Sequence, residues 1–160
     1  MVLITHGHSD HIAGVSALLL EWPSVEFFKM PWPASDGRYP VEWKPLTEGD
    51  EIEVGPNLLR VLHTPGHSPD HLCFYCEKEG VLFCGDLVVK GATVTIPANH
   101  EGNLIQYLAS LRRISDLNPP RVLPAHGEEI NDVADVIGHY LEHRRRRDDE
   151  ILDALRQSGG

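Results

Sequence analysis

Short apolar runs and amphipathic stretches alternate along the chain. Val2-Leu3-Ile4-Thr5 predicts a buried strand. Ser9 or Asp10 can cap a following helix that carries Ile12, Val15, Leu18 and Leu19 at helical spacing to about Trp22, where Pro23 stops it. Val25 to Met30 predicts a short strand, and Pro31 to Pro45, with four prolines and two tryptophans, predicts a surface excursion. Glu51 to Val54 and Leu58 to His63 read as strands. Leu72 to Cys76 and Val81 to Cys84 read as a hairpin turning at Glu77-Lys78-Glu79-Gly80. Leu104, Tyr107, Leu108, Leu111 and Ile114 predict a helix that Pro119-Pro120 ends, and Arg121 to Pro124 a last strand. Val133, Val136, Ile137, Tyr140 and Leu141 predict another helix, which continues or breaks near Arg144 to Arg147 before Ile151, Leu152 and Leu155. Strands and helices in alternation predict an α/β fold with helices packed outside a sheet.

Composition narrows the class. The 160 residues suit one domain, or one domain with part of a second. Hydrophobic residues at 41% and charged residues at 24% argue against disorder. No apolar run approaches the ~18 residues of a membrane span, and the start has no signal-peptide pattern. Three cysteines are too few and odd in number for a disulfide framework. These features lead us to expect a cytoplasmic protein without a membrane partner. A net charge of −10 argues against a chain-wide nucleic-acid footprint.

The ten histidines change the picture. Three lie in Thr5-His6-Gly7-His8-Ser9-Asp10-His11, three in His63 to His71, and one in Pro124-Ala125-His126-Gly127. The turns that carry His6, His67 and His126 each follow an apolar run, and a fourth, Cys84-Gly85-Asp86, ends another run with a carboxylate. In an extended loop, side chains two apart point the same way, so His6 and His8 can share one ion. Asp10 and His11, on the helix start, address a neighbouring position. Strand-end loops collect on one edge of an α/β sheet, so His67, Asp86 and His126 should join them. Imidazoles and carboxylates without thiolate suit Zn²⁺, Fe or Mn²⁺. Seven ligands suffice for two ions with one carboxylate shared. Asp10 and Asp86 are the catalytic candidates: such a pair of ions activates water as hydroxide, and Asp10 can take up a proton or orient that hydroxide. His71 reads as a hydrogen-bonding support rather than a ligand, His63 as a sheet histidine, and His100 as a loop histidine near the site mouth. Cys73, Cys76 and Cys84 read as small core residues, not nucleophiles. His139, His143 and Arg144 to Arg147 form a basic face that internal pairing with Asp148, Asp149 and Glu150 accounts for.

A His-x-His-x-Asp-His string followed by His67, Asp86 and His126 in strand-end turns resembles the metallo-β-lactamase fold superfamily, over about Val2 to Ile137. The resemblance implies an αββα sandwich. It implies one metal on His6, His8 and His67, a second on Asp10, His11 and His126, and Asp86 bridging. The ions would be two Zn²⁺, with iron or manganese in some members. Thr64 to His71, Gly85-Asp86 leading to Gly91-Ala92-Thr93-Val94, and Tyr140 to Arg144 are similar to the lactamase-like hydrolases that include an endoribonuclease and polyketide-releasing thioesterases. That branch implies a hydrolase domain over 1–143, lacking the family's first strands, and the start of a winged-helix-like region over 144–160. It points to a metal-activated hydroxide acting on a thioester or ester. RNA cleavage, or an inactive metal-binding fragment, are the alternatives. The expected partner is a small-molecule or acyl substrate, ahead of nucleic acid. An uncovered sheet edge would favour homo-oligomers.

Overall fold

A computed structural model describes residues 1–158, the side chain of His100 excepted, so the reading of His100 and the last two residues of the 144–160 region lie outside the described residues. The chain runs β1 (Val2–Leu3), α1 (Ser9–Ile12), α2 (Val15–Glu21), β2 (Phe27–Lys29), α3 (Pro33–Asp36), β3 (Trp43–Pro45), β4 (Glu51–Val54), β5 (Asn57–His63), β6 (Leu72–Cys76) and β7 (Val81–Gly85). A 3-10 turn at Ala98–His100 leads to α4 (Leu104–Leu117), β8 (Arg121–Pro124) and α5 (Val133–Gln157). Two sheets result: a parallel one in the order β1-β2-β3, and a five-stranded one in the order β4-β5-β6-β7-β8. The second is antiparallel except for β7 and β8, which pair in parallel across the α4 crossover.

Three apolar clusters give four layers. Ile12 and Val15 pack with Ile4 and Phe27 on the outside of the small sheet. Leu3, Phe28 and Met30 from that sheet meet Val61, Leu72 and Phe74 from the large one. Tyr107, Leu111, Ile114, Ile137 and Tyr140 close over Cys73, Leu82, Cys84 and Val122 on its far face. This is the αββα sandwich. β6 is buried at all five positions because both of its faces are covered, so it reads as a continuous apolar run rather than an alternation. On β7, Leu82 and Cys84 turn inward under the helices, while Phe83, opposite Phe74, is 42% exposed. The three strands of the small sheet do not reach across to it.

Two expectations need correction. The helix expected from Ser9 or Asp10 to Trp22 is two helices, parted at Ala13 and Gly14. Neither Ser9 nor Asp10 caps it: both lie inside α1, and His8 holds the cap position without a side-chain cap bond. The break lets α1 aim Asp10 and His11 at the loops while Ile12 and Val15 stay in the core. Gly14, with its poor helix propensity, is a natural place for it. The stretch Pro31 to Pro45 is not a mere surface excursion. It holds α3 and β3, buries Trp32 and Ser35, and is tied down where Trp43 Nε1 donates to the Asp36 carbonyl at 3.0 Å. Ahead of Pro119, α4 ends on Asn118 in the left-handed region. α5 crosses position 143 without a break and leaves Ile151, Leu152 and Leu155 exposed. No helix among the described residues is long and apolar enough to cross a membrane.

Candidate metal centre

The site is assembled where strands give way to loops. Beyond β1 the chain passes between the sheets, and the Thr5 carbonyl accepts the Leu72 amide at 2.7 Å. His6, Gly7 and His8 follow. His6 Nε2 and His8 Nδ1 come within 3.1 Å of each other, a separation close to that of two nitrogens sharing one cation with bonds of ~2.0–2.1 Å. Gly7 fits a tight space here: a Cβ would lie 3.1 Å from both Asp70 Oδ2 and Trp32 Cε3. The loop after β5 brings in His67, whose ring centre is 4.6 Å from that of His8 and 5.0 Å from that of His6.

A second cluster adjoins the first. Asp10 Oδ2 lies 3.5 Å from His11 Nε2 and 3.3 Å from His126 Nε2. Asp86, after β7, places Oδ2 3.4 Å from His11 Nε2 and 3.6 Å from His67 Nε2, and Oδ1 3.5 Å from His126 Nε2. It therefore stands between the clusters. In His6, His8 and His67, and again in Asp10, His11, Asp86 and His126, one donor atom per residue falls within 4.8 Å of all the others. All seven residues singled out as ligands thus converge.

Hydrogen bonds fix how these groups face. His67 Nδ1 donates to the Thr95 carbonyl at 2.8 Å, leaving the Nε2 lone pair directed at the centre. His71 is fully buried and is not part of either cluster. Its Nε2 accepts the Asp86 amide at 3.1 Å, so its Nδ1 carries the proton and donates to Thr64 Oγ1 at 2.8 Å. Thr64 Oγ1 in turn lies 3.2 Å from Cys73 Sγ. His71 thus anchors the Asp86 turn to the sheet. His63 braces the His67 loop through the Pro69 carbonyl at 2.8 Å.

Electrostatics favour neutral imidazoles in the interior. Burial, then the neighbouring imidazoles, hold His6 far below the usual histidine range. Burial pushes His71 down to about 3. For His11, burial works downward but the Asp86 and Asp10 carboxylates outweigh it and raise the value. Burial raises Asp86, and its histidine neighbours outweigh that and lower it. Burial pushes the Cys84 thiol up to about 12 and Cys73 further, so neither supplies a thiolate.

This pattern has a consequence in the metal-free chain. Unfolded, His6 and His71 take up protons near 6.5; folded, they resist them. The unfolded state then binds more protons, and stability falls as pH drops below about 6.5. His11 works the other way, one group against two. The urea midpoint of the metal-free chain should fall between about pH 7 and pH 5, at up to ~1.4 kcal/mol per pH unit for each uncompensated histidine. A midpoint flat over that range would contradict the buried neutral imidazoles.

The residues fit a divalent cation. His11 Nε2 and His67 Nε2 are buried and make no hydrogen bond of good geometry; both aim at Asp86 Oδ2. Buried polar atoms left so are costly, and a cation between them removes that cost. The donor set of imidazole nitrogen and carboxylate oxygen is compatible with zinc, iron or manganese.

Above the clusters lies a cleft of about 340 Å³, lined by His8, Asp10, His67, Asp86, Trp32 and Arg38 among others. Trp32 and Arg38 come from the proline-rich stretch, where the sequence carried no chemical signal. Their neighbour Asp36, with Lys29, also escaped sequence reasoning. A lysine inside the apolar strand Phe27–Lys29 was the available clue.

The family profile described as the metallo-beta-lactamase superfamily matches residues 2–126. The chain is 31% identical over 159 residues to "Beta-lactamase-like protein 2 homolog" of Caenorhabditis elegans, covering 98% of this chain and 52% of the relative. It is 33% identical over 156 residues to "Atrochrysone carboxyl ACP thioesterase" of Aspergillus fumigatus, covering 98% of this chain and 35% of the relative. Among solved structures, a beta-lactamase domain protein from Burkholderia ambifaria superposes with a TM-score of 0.80 at 27% identity, over 96% of this chain and 57% of that one. TTHA1623 in a di-iron-bound form gives 0.70 at 30% identity, over 81% and 70%. The chain spans about half the length, or less, of these curated relatives.

Proposed function

The chain belongs to the metallo-beta-lactamase superfamily, and from that premise we propose that it is a dinuclear metal-dependent hydrolase acting on a thioester or related ester. The observation that carries the proposal is the convergence of seven nitrogen and oxygen donors into two adjoining clusters. His6, His8 and His67 would hold one cation, and Asp10, His11 and His126 the other, with Asp86 shared. The cations would supply Lewis acidity at the substrate carbonyl and a water acidic enough to ionise near neutral pH.

The chain's own residues do the rest. The Thr95 carbonyl keeps His67 in one tautomer. His71, through the Asp86 amide, keeps the shared carboxylate in place. Asp10, exposed at the mouth beside His126, gives one carboxylate oxygen to the second cluster and can orient the attacking water with the other. Trp32 offers an apolar wall for an acyl group. The preference for a thioester rests on the relatives named as thioesterases. A nuclease finds less support: Arg144, Arg145 and Arg147 are engaged by Asp148, Glu142, Asp149 and Glu150 on their own helix.

The test is a panel of a thioester, a lactone and RNA, offered to zinc-, iron- and manganese-loaded protein. We expect thioester turnover that chelation abolishes and metal restores. Turnover that survives chelation, or RNA cleavage without ester hydrolysis, would overturn the assignment.

A further inference from the structure

Lys29 ends β2 and is buried to 1% exposure. Such a lysine must be paired, since an isolated buried ammonium is prohibitively costly. Its Nζ donates to Asp36 Oδ1 at 2.5 Å and to the Met30 carbonyl at 2.7 Å, and lies 3.1 Å from Asp70 Oδ2. Each carboxylate has a second attachment. Asp36 Oδ2 accepts the Trp32 amide at 2.8 Å, and Asp70 Oδ1 accepts the Ser68 hydroxyl at 2.8 Å.

The location gives this network its meaning. Asp70 lies three residues after His67 and immediately before His71. Its Oδ2 also forms part of the floor beneath Gly7, between His6 and His8. Trp32, fixed by Asp36, also packs against Gly7 and stands 6.4 Å, edge to face, from His8. The ammonium therefore ties three separate segments at one point: the end of β2, the His67 loop, and the wall over the His6–His8 loop.

We propose that Lys29, acting through Asp70 and Asp36, is a positioning residue that sets the spacing of His67 against His6 and His8. This rests on the reading of that trio as a cation site. The network does not touch Asp10, His11 or His126 in any contact described, so its loss should act on one cluster and spare the other. A purely structural ion network would lower stability without telling the two clusters apart. Buried ion pairs are weak stabilisers against apolar replacements of similar shape, which leaves geometry as what this one confers.

The experiment uses two full-length variants. Asp70→Asn leaves Asp36 as counter-ion to Lys29. Lys29→Met with Asp70→Asn removes both charges of the inner pair. Zinc alone is the probe, titrated in competition with a chromophoric chelator, after circular dichroism and cooperative unfolding confirm which variant is folded. We expect one of two zinc ions to weaken by about 10–100-fold, the usual cost of losing support behind a ligand, and the other to be unchanged. The ring-nitrogen NMR shifts of His67 in the metal-free chain give a second readout. They should report Nδ1–H alone in the unsubstituted protein and a mixture of tautomers in the variants. A folded variant with both zinc affinities and the His67 shifts unaltered would overturn the proposal. If the unsubstituted chain binds no zinc tightly, the cation reading falls on its own, and the His67 shifts still decide whether Lys29 positions that ring.

Discussion

Asp86→Ala is expected to leave a folded chain that retains at most one tightly held divalent ion and hydrolyses a thioester at least about 100-fold more slowly, beyond the roughly 10–100-fold cost of losing an outer partner of a ligand. Asp86 meets both clusters, with Oδ2 toward His67 of the first and His11 of the second, and Oδ1 toward His126 of the second. Its removal leaves three imidazoles facing one another without the carboxylate that offsets a cation's charge. The fold should survive, because the bond to His71 comes from the Asp86 backbone amide and not its carboxylate. Elemental analysis and turnover on the same sample check both halves. Two retained ions with unchanged turnover would remove Asp86 from the site.

The largest effect on stability is expected from Gly66→Ala. Gly66 has φ of +131°, and a Cβ there would fall 2.2 Å from Tyr107 N and 2.5 Å from Tyr107 Cβ. The strain and the clash arise together. The loop cannot retreat from α4 easily, because the Gly66 carbonyl accepts the Asn103 amide at 2.8 Å. We expect a loss above ~4 kcal/mol, a range reserved for a few severe mechanisms, or no folded protein at all. Gly14→Ala is the control. Its φ is −78° and nothing lies within 4 Å of a Cβ there, so urea unfolding should shift by no more than about 0.5 kcal/mol. Equal behaviour of the two variants would mean that the His67 loop is not seated on α4 as described.

The two substitutions show why the candidate ligands were legible and their scaffolding was not. His6, His8, His67, Asp86 and His126 sit in short turns after apolar runs, Asp10 and His11 on the helix that follows the first of them, and strand ends bring such turns together in a layered α/β fold. The β6–β7 hairpin and α4 were equally plain, since their apolar positions follow the period of the element. The division into two sheets was not readable from periodicity: β1, β2 and β3 are two or three residues long, and the four-layer arrangement came through the family resemblance. The split of α1 from α2 escaped notice because Ile12 and Val15 keep helical spacing across Gly14. The proline-rich stretch looked like surface because its anchors, Lys29 to Asp36 and Trp43 to the Asp36 carbonyl, are contacts across a fold. Lys29 in an otherwise apolar strand is the local sign of them. Asp70 stands beside His71 in the sequence, but its partner Lys29 is distant along the chain and only the fold shows it.

The most direct measurement is anomalous diffraction from crystals of metal-loaded protein, recorded on either side of the absorption edge of the bound element. Two ions per chain are expected. One should lie within ~2.0–2.2 Å of donor atoms of His6, His8 and His67, the other at that distance from Asp10, His11 and His126, with Asp86 reaching both. Fewer than one ion per chain, or ions bound with His67 and Asp86 turned away, would contradict it.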